Sequence, residues 1–546
     1  MAKTLLKHIV LATGTYALVG FAVFGPYINN PFLMDDEIQV THNPQIQDIS
    51  HWPSYFTSST MDSGGSGKMS GIYFKPFMTL YYATVWHFFG DDPAAFRLPL
   101  LLCHLMSSIM IFIFLIRFFD WRLAYLAGLL FVVHPSNAEI VAYIADAQDA
   151  LYMVFGLLAL TISTYERRKW LSGVLTGSLL LAGVLSKETG ALFLAIVPMA
   201  AFYFERARFR FSLLTSFVVG LVYAALRIHS GLLTYEHKLL LIQQATYFER
   251  LQTVPLIVWH YIEVFFYPLR ISLVNDFVVR DLSLTQFWLP ILGVILFFVA
   301  LRYLWLALRT DMDRKVFEFS IGVLFLWFTL HGSVVLPLDG TYGDRWFYLG
   351  IWALLTLTAL ALKTHLESLN PAKTKGAYIT VVLVGVCLVS AASARTIVRL
   401  RDWEVPLSLY MRELDQRPFD ALMANNVGFE LFHRDDVRQA EIYFDRATKS
   451  NPVWDVAWNN LGACAQRLRE DDRALMLYEK SVSLGSYSLA YENYAALLCS
   501  RKIDDRCTGF LKRALAIFPL NPSLQKIDAA VRQKPADVPS QPPMAK

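Results

Sequence analysis

Apolar runs, each close to the length needed to cross a bilayer, recur along the chain as far as residue 394 and then stop. The first is Leu5–Gly25. Others occupy Arg97–Arg117, Leu123–Val133, Ala150–Tyr165, Trp170–Leu185, Ala191–Phe204, Phe211–Ile228, Phe287–Leu308, Val316–Leu336, Phe347–Leu362 and Ala377–Ala394. The hydropathy criterion therefore predicts about eleven spans. Tyr73–Gly90 is also apolar but contains Lys75, Pro76 and His87, and reads as a helix lying at the membrane interface. Two more interfacial helices are expected near 238–251 and 254–267. Beyond 394 the pattern becomes charged and amphipathic, as in a soluble helical domain.

Basic residues fix the direction of the spans. Lys3, Lys7 and His8 start the first run. Clusters at Arg117–Arg122, Arg167–Lys169, Arg206–Arg210, Arg309–Lys315 and Lys363–Lys375 then fall on the same side, which the positive-inside rule makes cytoplasmic. Treating Tyr73–Gly90 as a full span would break that alternation. Residues 5–25 are too long for the apolar core of a cleavable signal and read as a retained first span. A hydrophobic content of 55% and a mean hydropathy of +0.40 exclude a soluble enzyme. The net charge of +4 comes mostly from the basic loops and is no argument for nucleic-acid binding.

With that topology, Asp35, Asp36, Lys75, His134, Glu139, Asp146, Asp149, Lys187, Glu188, Asp276, Asp344 and Arg345 all reach the outer face. The chain is organised around Met34-Asp35-Asp36-Glu37, where it leaves the first span. Ionisable groups near hydrocarbon are costly, which makes them functional candidates. The bland alternative is a solvated loop start and structural ion pairs between helix ends. Carboxylates together with Lys and Arg at one face suit a reaction on a lipid-borne phosphate, the cations holding the anion and a carboxylate acting as general base. Downstream, Thr60–Lys68 is rich in Gly and Ser and reads as a mobile lid or a slack linker.

From Asn425 the sequence repeats every 34 residues: Gly428 recurs as Gly462, Ala440 as Ala474 and Asn426 as Asn460, and Tyr478 answers Phe444. A third unit begins near Tyr491. Three helical hairpins of this period, led by a helix near Leu407–Leu414, predict a tetratricopeptide solenoid with a concave binding face. Lys534–Lys546, with four prolines, is expected to be disordered. Cys499 and Cys507 bracket the turn of the third hairpin and are placed to pair in an oxidising compartment. No cysteine spacing suggests a zinc site.

Taken in order, these residues resemble the GT-C membrane glycosyltransferases, and within them the transmembrane-and-tetratricopeptide protein O-mannosyltransferases and their bacterial relatives. Met34-Asp35-Asp36 with Asn43 is similar to that family's acidic motif in the first outer loop. Phe74-Lys75-Pro76-Phe77 resembles its Tyr-Arg-Pro-Leu. Gly90, Phe96 and His104 are similar to the segment opening its second span. His134-Pro135, Glu139 and Asp149 resemble its His-Pro block, Ser186-Lys187-Glu188 its Ser-Lys-Glu turn, and Asp344-Arg345-Trp346-Phe347-Tyr348-Leu349 its acidic-Arg-aromatic motif. There are two departures. Lys75 replaces an Arg, and Ala147 and Gln148 stand where the family has a basic residue, which leaves room for a polyprenyl-linked sugar other than mannose.

The resemblance implies an all-α chain. Residues 1–394 would form a polytopic GT-C domain with its first outer loop at 26–96, residues 395–532 a tetratricopeptide solenoid, and 533–546 a disordered tail. It implies transfer, with inversion, of a sugar from a polyprenyl-phosphate donor to Ser or Thr of an exported protein held by the repeats. A pilin is one such acceptor. Asp35 is the expected base, with Asp36 as its alternative or orienter. Lys75, Lys187 and Arg345 would hold the donor phosphate; His134, Glu139, Asp149, Glu188 and Asp344 would position sugar or acceptor. No metal is required by a monophosphate donor. The expected location is the bacterial inner membrane, with the site and the repeats periplasmic. Three rival readings are transfer to a lipid acceptor, a transporter, and a non-enzymatic scaffold.

Overall fold

The computed structural model describes residues 2–60, 73–165, 168–231, 240–369, 371–417, 419–519 and 521–533. Most of the Gly/Ser-rich stretch and the proline-rich tail lie outside the described residues. The chain divides into two compact units, the first ending at Val405 and the second beginning at Pro406.

The first unit is helical throughout its apolar runs. Among the described residues eight helices are long and apolar enough to cross a membrane, or nine if the bent pair Trp121–Val133 and Pro135–Ala142 is one span. The other two expected spans are helices that miss the same criterion. Glu188–Phe204 is short, and Asp311–His331 begins with Asp311, Asp313, Arg314 and Lys315, which lower its hydropathy. The chain is a multi-pass membrane protein. The 50° bend after Val133 has a local cause. Pro135 lacks an N–H and drives His134 into an extended conformation, and the His134 ring then accepts the Ser136 N–H at 3.3 Å.

Between the spans, Pro76–Phe89 is a 14-residue helix, too short to cross and consistent with an interfacial position. Among its described residues the first loop holds short helical turns at Glu37–Thr41, Pro44–Gln47 and Ile49–Phe56. The two helices expected within 238–267 are instead a single turn, Leu241–Gln244, and one continuous helix, Tyr247–Phe266. A capping box between Thr246 and Glu249 starts the long helix, which then runs through Pro255.

The second unit is an α-solenoid. After Pro406–Gln416 come three hairpins, Ala421–His433 with Val437–Ser450, Asp455–Arg467 with Asp471–Leu484, and Ser488–Arg501 with Asp505–Ile517, closed by Pro522–Gln533. The repeating Gly has a steric reason. A Cβ at Gly428 would stand 2.8 Å from the Phe444 ring, and one at Gly462 would stand 2.8 Å from the Tyr478 ring. Adjacent repeats are also joined by side-chain amides: Asn460 donates to Asn425 at 2.9 Å and Asn493 donates to Asn459 at 2.9 Å. Cys499 and Cys507 form a disulfide across the third hairpin, while Cys464 is buried and free.

Candidate active site

The two adjacent aspartates at the end of the first span have opposite environments. Met34 takes a left-handed conformation, φ 53°, and turns the chain sharply. Past this elbow Asp35 is exposed and Asp36 is fully buried. Asp36 accepts the N–H of Leu33 at 3.2 Å and that of Ala145 at 2.7 Å, closing the elbow and tying it to the turn before the Ala147–Tyr165 helix. Burial pushes the Asp36 carboxyl up to about 7, against the opposing pull of Arg97 and of the two N–H bonds. Arg97 is itself buried and braces the same corner. It donates to the carbonyls of Ala142 at 2.8 Å, Pro31 at 2.6 Å, Ile28 at 3.3 Å and also Asn30.

Asp35 is linked to the charged centre through Tyr143. The Asp35 N–H donates to the Tyr143 hydroxyl at 3.3 Å, and the Arg345 guanidinium lies 5.9 Å from the Tyr143 ring centre. Arg345 pairs with Glu139 at 2.7 Å and with Asp146 at 3.3 Å. One helical turn further on, Asp149 takes the Lys187 ammonium with both oxygens, at 2.8 and 2.7 Å. Four helix ends supply this arrangement: Ala138–Ala142, the start of Ala147–Tyr165, the end of Lys169–Ser186, and the turn before Tyr348–Ser368.

Lys75 completes the cationic side. Its N–H is held by the Thr60 hydroxyl at 2.9 Å, and its ammonium lies 4.5 Å from the Tyr73 ring centre. Among the described residues no carboxylate is within ion-pair distance of it. Burial lowers its pKa, and the charges of Glu188, Lys187, Asp339 and Asp149 reach it. Glu188 pairs with Arg227 at 3.6 Å, and Arg227 also lies against Phe74.

Two expected residues sit one layer back. Asp344 is buried and accepts from the His260 ring and from the Ser272 N–H, both at 2.6 Å, so it anchors the turn that carries Arg345. His134 faces the carbonyl of Phe265 at 3.4 Å. Of the residues picked from sequence, Glu139 with Arg345 and Asp149 with Lys187 thus form two ion pairs at neighbouring helix ends, Asp35 is linked to the first through Tyr143, and the charges of the second and of Glu188 reach Lys75. Tyr143, Asp146, Arg97, His260 and Arg227 also take part. Asp146 was visible as an outer-face charge; the other four carried no signal in the sequence that set them apart. Among the described residues no group of three or more His, Cys, Asp or Glu is arranged to hold a metal ion.

The fold and these contacts define a multi-pass membrane protein that carries a helical-repeat unit and buries paired carboxylates and cations at neighbouring helix ends. No protein-family model matches the chain. The chain resembles the protein O-mannosyl-transferases: it is 22% identical to one from Caenorhabditis elegans over 446 residues, covering 79% of this chain and 62% of that protein. It is 22% identical to human TMTC3, also a protein O-mannosyl-transferase, over 92% of this chain and 58% of that protein. The chain thus spans about three-fifths of the length of these relatives. Among solved structures, an Archaeoglobus fulgidus oligosaccharyltransferase tethered to an acceptor peptide aligns at 14% identity with a TM-score of 0.40, over 72% of this chain and 55% of that one. ArnT from Cupriavidus metallidurans bound to undecaprenyl phosphate aligns at 14% identity with a TM-score of 0.39, over 86% and 79%. These superpositions are too loose to place individual residues.

Proposed function

We propose that this chain is a membrane glycosyltransferase that moves one sugar from a polyprenyl monophosphate to a Ser or Thr hydroxyl of an exported protein, with inversion. The observation that carries the reading is the contrast at the elbow. Asp36 is buried and bonded to backbone, while Asp35 is presented to solvent with its N–H on the hydroxyl of Tyr143, whose ring centre lies 5.9 Å from the Arg345 guanidinium. In the step we assign, Asp35 takes the hydroxyl proton as the oxygen attacks the anomeric carbon. The new C–O bond forms as the anomeric carbon–phosphate oxygen bond breaks, and the electron pair leaves with the polyprenyl phosphate. Arg345, Lys187 and Lys75 stabilise that leaving charge. Lys75, without a carboxylate partner among the described residues, is the cation most available to the incoming phosphate. Glu139 and Asp149 hold Arg345 and Lys187 in place until the donor arrives, and Asp36, Asp344 and His134 keep the supporting turns in position.

The repeats bind the acceptor protein and raise its effective concentration. A surface-fibre subunit such as a pilin is a fitting acceptor if the site and the repeats face the periplasm across a bacterial inner membrane. The relatives' names favour a protein acceptor over a lipid one.

The test is intact-mass spectrometry of exported proteins from cells carrying wild type, a deletion, or Asp35→Asn. A hexose- or pentose-sized mass should disappear equally in the deletion and in the Asp35→Asn strain, because loss of general-base transfer typically costs about 10²–10⁴-fold in rate. A mass lost in the deletion but retained with Asp35→Asn would remove Asp35 from the chemistry. No mass change in any strain would end the protein-acceptor reading.

A further inference from the structure

Arg345 and Lys187 need two carboxylates to balance them, and Glu139 and Asp149 meet them at 2.7–2.8 Å. Asp146 is a third. Its Oδ1 lies 3.3 Å from Arg345 Nε, a poorer contact, and its Oδ2 is buried with no hydrogen-bond partner among the described residues. The whole residue is 1% exposed. Two turns along the same stretch, the hydroxyl of Tyr152 is likewise buried and without a partner, on a ring whose centre is 6.0 Å from the Lys187 ammonium. Leaving a buried polar group unpaired costs about 1–3 kcal/mol, so native chains rarely keep one without a use. Here the Asp146 and Tyr152 atoms flank the paired cations, with Gln148 Oε1 a further unpartnered atom on the same stretch.

A second phosphate-binding group would be a cation, and Asp146 has the wrong sign. A carboxylate oxygen and a phenol beside a phosphate site suit a neutral group rich in O–H donors that is attached to the phosphate. We infer that Asp146 Oδ2, assisted by the Tyr152 hydroxyl, accepts the hydroxyls of the donor sugar and sets which sugar is used. This rests on the donor site proposed above.

The test uses the full chain in lipid nanodiscs and two kinds of probe: bare undecaprenyl phosphate, and undecaprenyl phosphate bearing mannose, glucose or arabinose. Removing the Asp146 charge has opposite consequences for the two. Asp146→Asn frees Arg345, so bare undecaprenyl phosphate should bind as tightly as to wild type or more tightly. The preferred sugar-bearing lipid should bind at least ten-fold more weakly, and the preference among the three sugars should flatten. Tyr152→Phe, which leaves every charge in place, should weaken only the sugar-bearing lipids, by about three-fold or more. If Asp146→Asn moves bare and sugar-bearing lipids in the same direction by the same factor, Asp146 serves Arg345 alone and the inference is overturned. If Asp146→Asn does not fold, Tyr152→Phe decides: equal binding of all probes to it and to wild type overturns the inference. Wild type that binds none of the lipid phosphates would overturn the donor site itself, a distinct result from a failure confined to the variants.

Discussion

The two units use charge in opposite ways. In the membrane unit, ion pairs are sunk between helix ends: the side chains of Lys187 and Asp149 are 11% and 1% exposed. In the hairpins of the repeat unit most lie toward the surface, as with Arg467 and Asp435 at 59% and 74%, although ahead of them Arg417 pairs with the buried Glu413 and Asp420. Its interior is held instead by ring-on-glycine contacts, asparagine amides and a disulfide. A buried pair gains little over an apolar substitute, yet breaking it strands a charge. A surface pair contributes about 0–1 kcal/mol. Fold alone gives the membrane unit little reason to keep its buried pairs; a task at that site does.

The sharpest way to break the contrast is to strand one partner. Lys187→Met leaves Asp149 buried without its cation, and should lower unfolding stability by about 3–5 kcal/mol, read by thermal melting in detergent. A cost near zero would put Lys187 in open water and undo the comparison. In the repeat unit the corresponding large effect is covalent. Replacing both Cys499 and Cys507 by Ser opens a short loop and should cost about 2–3 kcal/mol, seen as faster hydrogen exchange over the third hairpin with the first hairpin unchanged. Uniform exchange across all three hairpins would show that the bridge does not act locally.

A graded effect concerns pH. The folded Asp36 carboxyl stands at about 7, above the ordinary 3.8. A carboxyl raised in this way contributes stability that is complete below the ordinary value and is lost as pH climbs through about 7. Wild-type stability from this group should therefore fall across that window by at most about 1.4 kcal/mol per pH unit. Asp36→Asn should flatten the slope; parallel slopes would assign the effect elsewhere. Smallest of all, Arg467→Ala should change stability by no more than about 1 kcal/mol in the same melting assay.

What could be read in advance follows the same division. The repeats were legible because each Gly–aromatic contact recurs in register, so Gly428 and Phe444 foretell Gly462 and Tyr478. The spans were legible because hydrocarbon imposes a length. Pairing was not. Arg345 and Glu139 are 206 positions apart, and hydropathy records that each is charged without recording that they meet. Nor does Asp35-Asp36 disclose which carboxylate is buried, since that depends on a left-handed Met34 and an N–H offered by Ala145. Tyr143 looks like any interfacial tyrosine until its hydroxyl is found under the backbone of Asp35. Helices near 238–251 and 254–267 are expected from the sequence, whereas Tyr247–Phe266 runs unbroken through Pro255, its ninth residue, where a proline forfeits one backbone hydrogen bond.

Arg97 lies in the second turn of the Pro93–Leu115 helix and grips carbonyls of the segment leading into Asp35 and of Ala142. The corner is therefore bolted to a transmembrane rod. A tilt of that rod in the bilayer would therefore carry the segment leading into Asp35 along with it.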